Sequence, residues 1–136
     1  MEFVIRDYAP YNRPQVLNLY RDVGWSNYYE RPEMLERAFA NSLCVLGAYR
    51  GEKLVGLIRA VGDGYSILFI QDILVLTEYQ RRGIGTALVK AVMERYARVY
   101  QMELATDNEE RTAAFYRSLG FTPLEELGCR GFIRIN

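Results

Sequence analysis

The 136-residue chain contains no histidine, only two cysteines and one tryptophan, and its 17 Lys and Arg are matched by 17 Asp and Glu. Without histidine, neither a Ser-His-Asp nor a Cys-His hydrolase can be assembled, and any general base is Asp, Glu, Tyr, Lys or Cys. Cys44 and Cys129 are too few for a disulfide framework and too far apart in sequence for zinc-ligand spacing. No metal is expected, and Cys44 reads as a small core thiol. Zero net charge gives no overall field that favours nucleic acid or an anionic membrane. No apolar run approaches the roughly 20 residues that span a bilayer, and Met1 to Arg6 lacks a basic stretch followed by an apolar signal core, so a cytoplasmic location is expected.

What remains is the profile of one globular domain over residues 1–136, with 50% apolar and 25% charged residues. A β-type run from Phe3 to Tyr8 is followed by Asn12, a capping residue, and by Val16, Leu19, Tyr20 and Val23 at helical spacing up to Gly24. A polar and aromatic connection from Trp25 to Pro32 leads to a second helix that shares Met34, Leu35, Ala38 and Phe39 on one face. The period then changes. Leu43 to Tyr49, Leu54 to Val61 and Ile67 to Val75 read as three strands joined by glycine turns, hence antiparallel. Ile84, Ala87, Leu88, Ala91, Val92, Tyr96 and Val99 make a long amphipathic helix. Met102 to Thr106 is a strand reached by a crossover and so parallel to the one before the helix. A last helix through Ala114, Phe115, Ser118 and Leu119 ends at Gly120, and Phe121 to Leu124 and Cys129 to Ile135 read as two closing strands.

One stretch carries chemistry. Ile70 to Val75 is an apolar strand interrupted by Gln71 and Asp72, and Gln80-Arg81-Arg82-Gly83-Ile84-Gly85-Thr86 follows it immediately before the long helix. Orphan amides and the helix dipole at such a start attract negative charge, and two arginines beside two glycines exceed what a tight turn needs, so the segment is read as a phosphate site. A Walker loop is excluded because no Gly-Lys-Ser/Thr occurs, and the dinucleotide fingerprint fails at Leu88.

The Gln80-x-x-Gly83-x-Gly85 pattern resembles the acyl-CoA signature of the GCN5-related N-acetyltransferase family, and Ala113 to Phe121, with its Phe115-Tyr116 pair and Gly120-Phe121 entry, is similar to that family's second recurrent segment. The resemblance extends over essentially the whole chain. It implies an α+β acyl-CoA N-acyltransferase fold with a mixed, mostly antiparallel sheet of about six to seven strands flanked by about four helices. It implies transfer of an acetyl group from acetyl-CoA to an amine by direct attack in a ternary complex; a non-catalytic acyl-CoA sensor on the same fold is the alternative.

The resemblance also implies roles for individual residues. Gln80, Arg81, Arg82, Gly83, Ile84, Gly85 and Thr86 would hold the pyrophosphate, and the backbone of Ile73, Leu74 and Val75 the pantetheine arm and the thioester carbonyl. Tyr116, which points about 100° away from the core-facing Phe115, would protonate the departing thiolate. Asp72 is either a base or acceptor-binding residue, or a structural ion pair with Arg59 or Arg6, because a carboxylate in an apolar strand is costly unless paired or at a site. Asn108 suffices as a helix cap, and the family adds a cofactor contact. Trp25 and Tyr28 would lie on the acceptor side, where rings suit a cation or an apolar group, and the family allows a homodimer through the closing strands.

Overall fold

The structure, a computed structural model, describes residues 2–136 and comprises two compact units, Met1–Ala105 and Thr106–Asn136. In the first, β1 (Val4–Asp7) leads to α1 (Arg13–Asp22), a short α2 (Ser26–Tyr29) and α3 (Pro32–Ala40). Three strands follow, β2 (Cys44–Arg50), β3 (Lys53–Gly62) and β4 (Ile67–Val75), then α4 (Ile84–Arg95) and β5 (Gln101–Leu104). The second unit holds α5 (Glu110–Ser118).

The sheet order is β1-β2-β3-β4-β5, antiparallel throughout except for the parallel pairing of β4 with β5 across α4. The crossover through α4 produces this mixture, since parallel neighbours cannot be joined by a hairpin. Two layers of helix bury the sheet. Gly56 of β3 faces α4 so closely that an added Cβ would meet Ile84 at 3.0 Å and Leu88 at 3.4 Å. Arg59, three residues on, points to the opposite face, where it lies over the Phe39 ring of α3 at 5.7 Å. Helix α1 starts where the sequence places it: Asn12 Oδ1 accepts the Gln15 amide at 3.0 Å, Pro14 sits in the first turn, and Val16, Leu19 and Tyr20 are buried. Each such side chain contributes roughly 1.5–3 kcal/mol of transfer free energy.

Three expectations change. The closing strands do not form: among the described residues the sheet has five strands, Leu124–Leu127 is a 3-10 turn ending at Gly128 in the left-handed region, and residues 129–136 carry no regular structure. Apolar alternation supplies a face and not a partner, and Phe132, Ile133 and Ile135 stay more than four-fifths exposed. There are five α-helices among the described residues because Ser26–Tyr29 coils within the aromatic connection. Finally, α5 begins one residue later than a cap at Asn108 implies. Glu109 is its N-cap residue, and Asp107, not Asn108, accepts a local amide, that of Glu109, at 3.0 Å.

Candidate active site

The site frame in the first unit begins where β5 stops. The β4–β5 register runs from Ile67 opposite Gln101 to Ile70 opposite Leu104, whereas β4 continues to Val75, paired there, among the described residues, with β3 alone. The Leu76 amide bonds to Val55 O at 2.9 Å, on the β3 side. Strand alternation therefore turns Leu74 toward β3 and the amides of Ile73 and Val75 the other way, along the unpaired edge. The Val75 carbonyl on that edge is taken by Gln80 Nε2 at 3.0 Å. Gln80 thus ties the turn to the strand end with its side chain.

Beyond Gln80 the backbone twists sharply. Arg81 has φ 64°, and Gly83, the residue before α4, has φ 85°, both left-handed. A Cβ on Gly83 would meet nothing within 4 Å, so glycine is there for the backbone angle and keeps the approach open. No side chain caps α4, which leaves the first-turn amides of Ile84, Gly85 and Thr86 without an intrahelical acceptor. Arg81 and Arg82 are exposed beside them, the Arg82 guanidinium lying 5.8 Å from the Tyr79 ring centre. The preceding 3-10 turn is held from α1: Asp22 Oδ2 accepts the Thr77 amide at 2.8 Å. Nothing in the sequence marks this last contact.

The other wall is built on the face covered by α1 and α2. The β3–β4 register skips one residue, with Ala60 opposite Ile70 and Arg59 opposite Asp72, so Gln71 is the extra residue of a bulge. Asp72 is buried, 1% exposed, and its Oδ2 accepts from Arg59 Nε at 2.8 Å and from the Tyr20 hydroxyl at 2.6 Å. Among the described residues Oδ1 has no hydrogen-bond partner. Burial opposes the charge on Arg59, but the Asp72 carboxylate outweighs it and holds the guanidinium above its ordinary range. Burial first, and then the Asp72 charge, push the Tyr20 phenol far up, so it remains a donor. Of the two partners weighed for Asp72 in the sequence, Arg59 is the one found; Arg6 instead covers the Tyr49 ring.

Around this cluster stand the aromatic residues of the connection. Tyr20 meets Trp25 edge-on at 6.0 Å and Tyr28 at 5.5 Å, and Trp25 lies 6.2 Å from Tyr28. The bulge turns Gln71 to this side, where its Nε2 donates to the Tyr28 hydroxyl at 2.9 Å. Trp25 and Tyr28 are half-buried, while Tyr29 is covered by Arg21. The structure thus brings Asp72, Trp25 and Tyr28 together. Gln71 and Tyr20 were not singled out from sequence; two successive polar residues in an otherwise apolar strand were the available sign of a bulge.

In the second unit Tyr116 is half-buried on α5, its ring edge-on to Phe115 at 4.9 Å and to Phe121 at 5.9 Å. Burial raises its phenol above the ordinary value and the Asp107 charge adds to the rise, so Tyr116 carries its proton at neutral pH. Asn108 lies in the bend before α5. Among the described residues no group of three or more His, Cys, Asp and Glu side chains is placed to hold a metal, and no helix is long and apolar enough to cross a membrane.

An α+β fold with a strand edge opened beside an anion-receptive helix start is a narrow class of architecture. The sequence model described as "Acetyltransferase (GNAT) family" matches residues 6–121, and the chain belongs to that family. A solved GNAT family acetyltransferase from Streptococcus pneumoniae TIGR4 is 44% identical, with a TM-score of 0.89 over 99% of this chain and 98% of that one. A Staphylococcus aureus protein of unknown function, described as a probable acetyltransferase, shares the fold at 24% identity, TM-score 0.82, over 98% and 100% of the two chains. The chloroplastic GCN5-related N-acetyltransferase 1 of Arabidopsis thaliana is 36% identical over 85 residues, which is 60% of this chain and 41% of that protein. The match thus spans less than half the length of the plant relative.

Proposed function

We propose that the protein transfers the acetyl group of acetyl-CoA to an amine by direct attack in a ternary complex, in the cytoplasm. The observation that carries this reading is the turn from Arg81 to Thr86, with its two left-handed residues and uncapped helix start, joined to the unpaired edge of β4 through the 3-10 turn Thr77–Tyr79. The amides of Ile84, Gly85 and Thr86, with Arg81 and Arg82, receive the pyrophosphate. The edge amides of Ile73 and Val75 bond the pantetheine arm, and one aimed at the thioester oxygen stabilises the developing oxyanion, a contact whose loss costs about 3–4 kcal/mol in comparable sites. Leu74 lines the strand from the β3 side, and Asn108 adds a polar contact to the cofactor.

A primary amine with a pKa of about 10.4 enters mostly as ammonium and must lose a proton before it attacks. The burial of Asp72 and its bonds to Arg59 and Tyr20 favour the ion-pair reading, so the proton passes to water and not directly to that carboxylate. The amine nitrogen then bonds to the acetyl carbon, the C–S bond breaks, Tyr116 gives its proton to the leaving thiolate, whose thiol pKa is roughly 8.5, and the second proton shed by the nitrogen returns through water to the tyrosinate. The phenol's raised affinity for its proton keeps the donor loaded. Trp25 and Tyr28 present rings to the acceptor, with the exposed carboxylates of Glu30 and Glu33 nearby in the chain, which favours a cationic amine.

The test is release of free CoA thiol from acetyl-CoA against a panel of amines, alongside thermal stabilisation by acetyl-CoA. At 100 times the Kd, binding raises stability by about 2.7 kcal/mol. Stabilisation with thiol release supports the enzyme, stabilisation with none supports a non-catalytic sensor, and neither removes the acyl-CoA reading altogether. Tyr116→Phe is expected to lower kcat about 100-fold with an unchanged KM for acetyl-CoA; an unchanged kcat removes its role as acid.

A further inference from the structure

We propose that Asp72 is a positioning residue for the acceptor wall, acting through the Tyr20 hydroxyl to fix the ring array of Tyr20, Trp25 and Tyr28 against the β4 bulge. The inference rests on the acetyltransferase reading above and assigns to Asp72 a task other than proton abstraction.

The geometry is that of a fixed node. Tyr20 projects from α1 into the core with no exposed surface and donates to Asp72 Oδ2 at 2.6 Å. The same oxygen accepts from Arg59 at 2.8 Å, and Arg59 Nη1 reaches the Ser42 hydroxyl at 3.3 Å after α3. Three elements, α1, β3 and β4, therefore meet at one oxygen atom. The Tyr20 ring is at the same time the hub of the aromatic group: Trp25, Tyr28 and Phe39 each contact it edge-on, at 6.0, 5.5 and 6.4 Å. Rotating or withdrawing that ring moves every neighbour. A second tie, Gln71 to the Tyr28 hydroxyl at 2.9 Å, fastens the far side of the wall to the adjacent bulge residue.

A proton-abstracting role makes different demands. It needs an oxygen within hydrogen-bond reach of the amine or of a water on it. Oδ2 is occupied by two donors, and Oδ1 is buried without a partner among the described residues, so the base role would have to run through Oδ1. The two roles separate cleanly in kinetics. A positioning residue sets how well the acceptor is held, whereas a base sets how the rate depends on pH.

Trp25 is the only tryptophan of the chain, so its fluorescence reports the wall without any substrate. The experiment compares wild type with Asp72→Asn, which keeps the shape and removes the charge, and with Tyr20→Phe, which removes one hydroxyl. Each variant is checked for its fold by circular dichroism. The expected result is a two-fold or greater rise in acrylamide quenching of Trp25 in both variants. The KM for the acceptor amine should rise five- to tenfold in both, with the KM for acetyl-CoA, kcat and the pH profile of kcat unchanged. Loss of the acidic limb of the pH profile in Asp72→Asn alone, with Tyr20→Phe kinetically like wild type, would overturn the proposal and make Asp72 the base. Unchanged Trp25 quenching in the folded variants would overturn it as well. If Asp72→Asn does not fold, Tyr20→Phe decides by the same two readouts. If wild type turns over no amine, the proposed function fails, and the Trp25 measurement still judges the node.

Discussion

The two halves of β4 belong to one strand and have different neighbours. From Ile67 to Ile70 the strand is bonded to β3 on one side and β5 on the other; from Asp72 to Val75 only β3 remains. Ile67-Leu68-Phe69-Ile70 is an unbroken apolar run, as a strand flanked by two others and covered on its faces requires. The second half opens with a bulge at Gln71, a buried charge at Asp72 and unshared edge amides, each of which costs free energy in a sheet that had only to be stable. The comparison teaches that one strand serves as scaffold at its start and as site at its end. Its two halves should accordingly answer differently to substitution.

The largest effect is expected at Arg59. Arg59→Met fills the same space and leaves the Asp72 carboxylate buried without its cation, which should lower unfolding stability by about 3–5 kcal/mol, read as a shift of the urea midpoint. The double variant Arg59→Met/Asp72→Leu should recover most of that loss, because the penalty belongs to the unpaired charge and not to the missing pair. A loss below about 1 kcal/mol in Arg59→Met would mean that the fold does not depend on the Arg59–Asp72 pair.

Two glycines sharpen the contrast further. Gly62 ends β3 with φ 132°, and a Cβ there would press on the backbone oxygen of Ile67, the first residue of β4. Gly62→Ala should cost roughly 1–3 kcal/mol of stability and leave the KM for acetyl-CoA as it was. Gly83 has φ 85° with open space around the Cβ position, so Gly83→Ala should cost only about 1–2 kcal/mol from the backbone angle. Its KM for acetyl-CoA should rise about tenfold, equal to ~1.4 kcal/mol, since the added methyl stands at the approach to the first-turn amides. Denaturation curves and initial rates on the same preparations test both; equal kinetic effects would erase the division between the two ends of β4.

Most of this frame was legible from residue patterns, and the exceptions have physical causes. Asn12, Pro14 and the spacing of Val16, Leu19 and Tyr20 define α1 because capping and burial are local. The glycine turn was legible because left-handed backbone at a helix start has few residue solutions. The partner of Asp72 was narrowed to two arginines, but only the β3–β4 register selects Arg59, and register depends on the bulge at Gln71. Tyr20 looked like one more apolar-stripe residue; its hydroxyl bond spans 52 positions and leaves no local trace. The closing segment was misread for the opposite reason. Phe132, Ile133 and Ile135 have the pattern of a strand, and a strand also needs a second backbone to bond.

The smallest effect is expected at the turn that feeds the scaffold end of β4. The exposed Asp63 carboxylate accepts from the Ser66 hydroxyl and from the amides of Tyr65, Ser66 and Ile67. The Ser66 hydroxyl first, and then those amides, hold its pKa well below the ordinary 3.8. A carboxyl group with a depressed folded-state pKa contributes stability above its unfolded value and loses that contribution as pH falls toward the folded one. Asp63→Asn should therefore melt a little below wild type at pH 7, and the gap should close as the pH is lowered through about 4 toward 2. Acetyl-CoA kinetics should not change, because this turn lies at the end of β4 remote from the unpaired edge. A gap in melting temperature that stays constant with pH would show that the turn is held by its shape alone. A changed acetyl-CoA KM would show that the two ends of the strand are coupled.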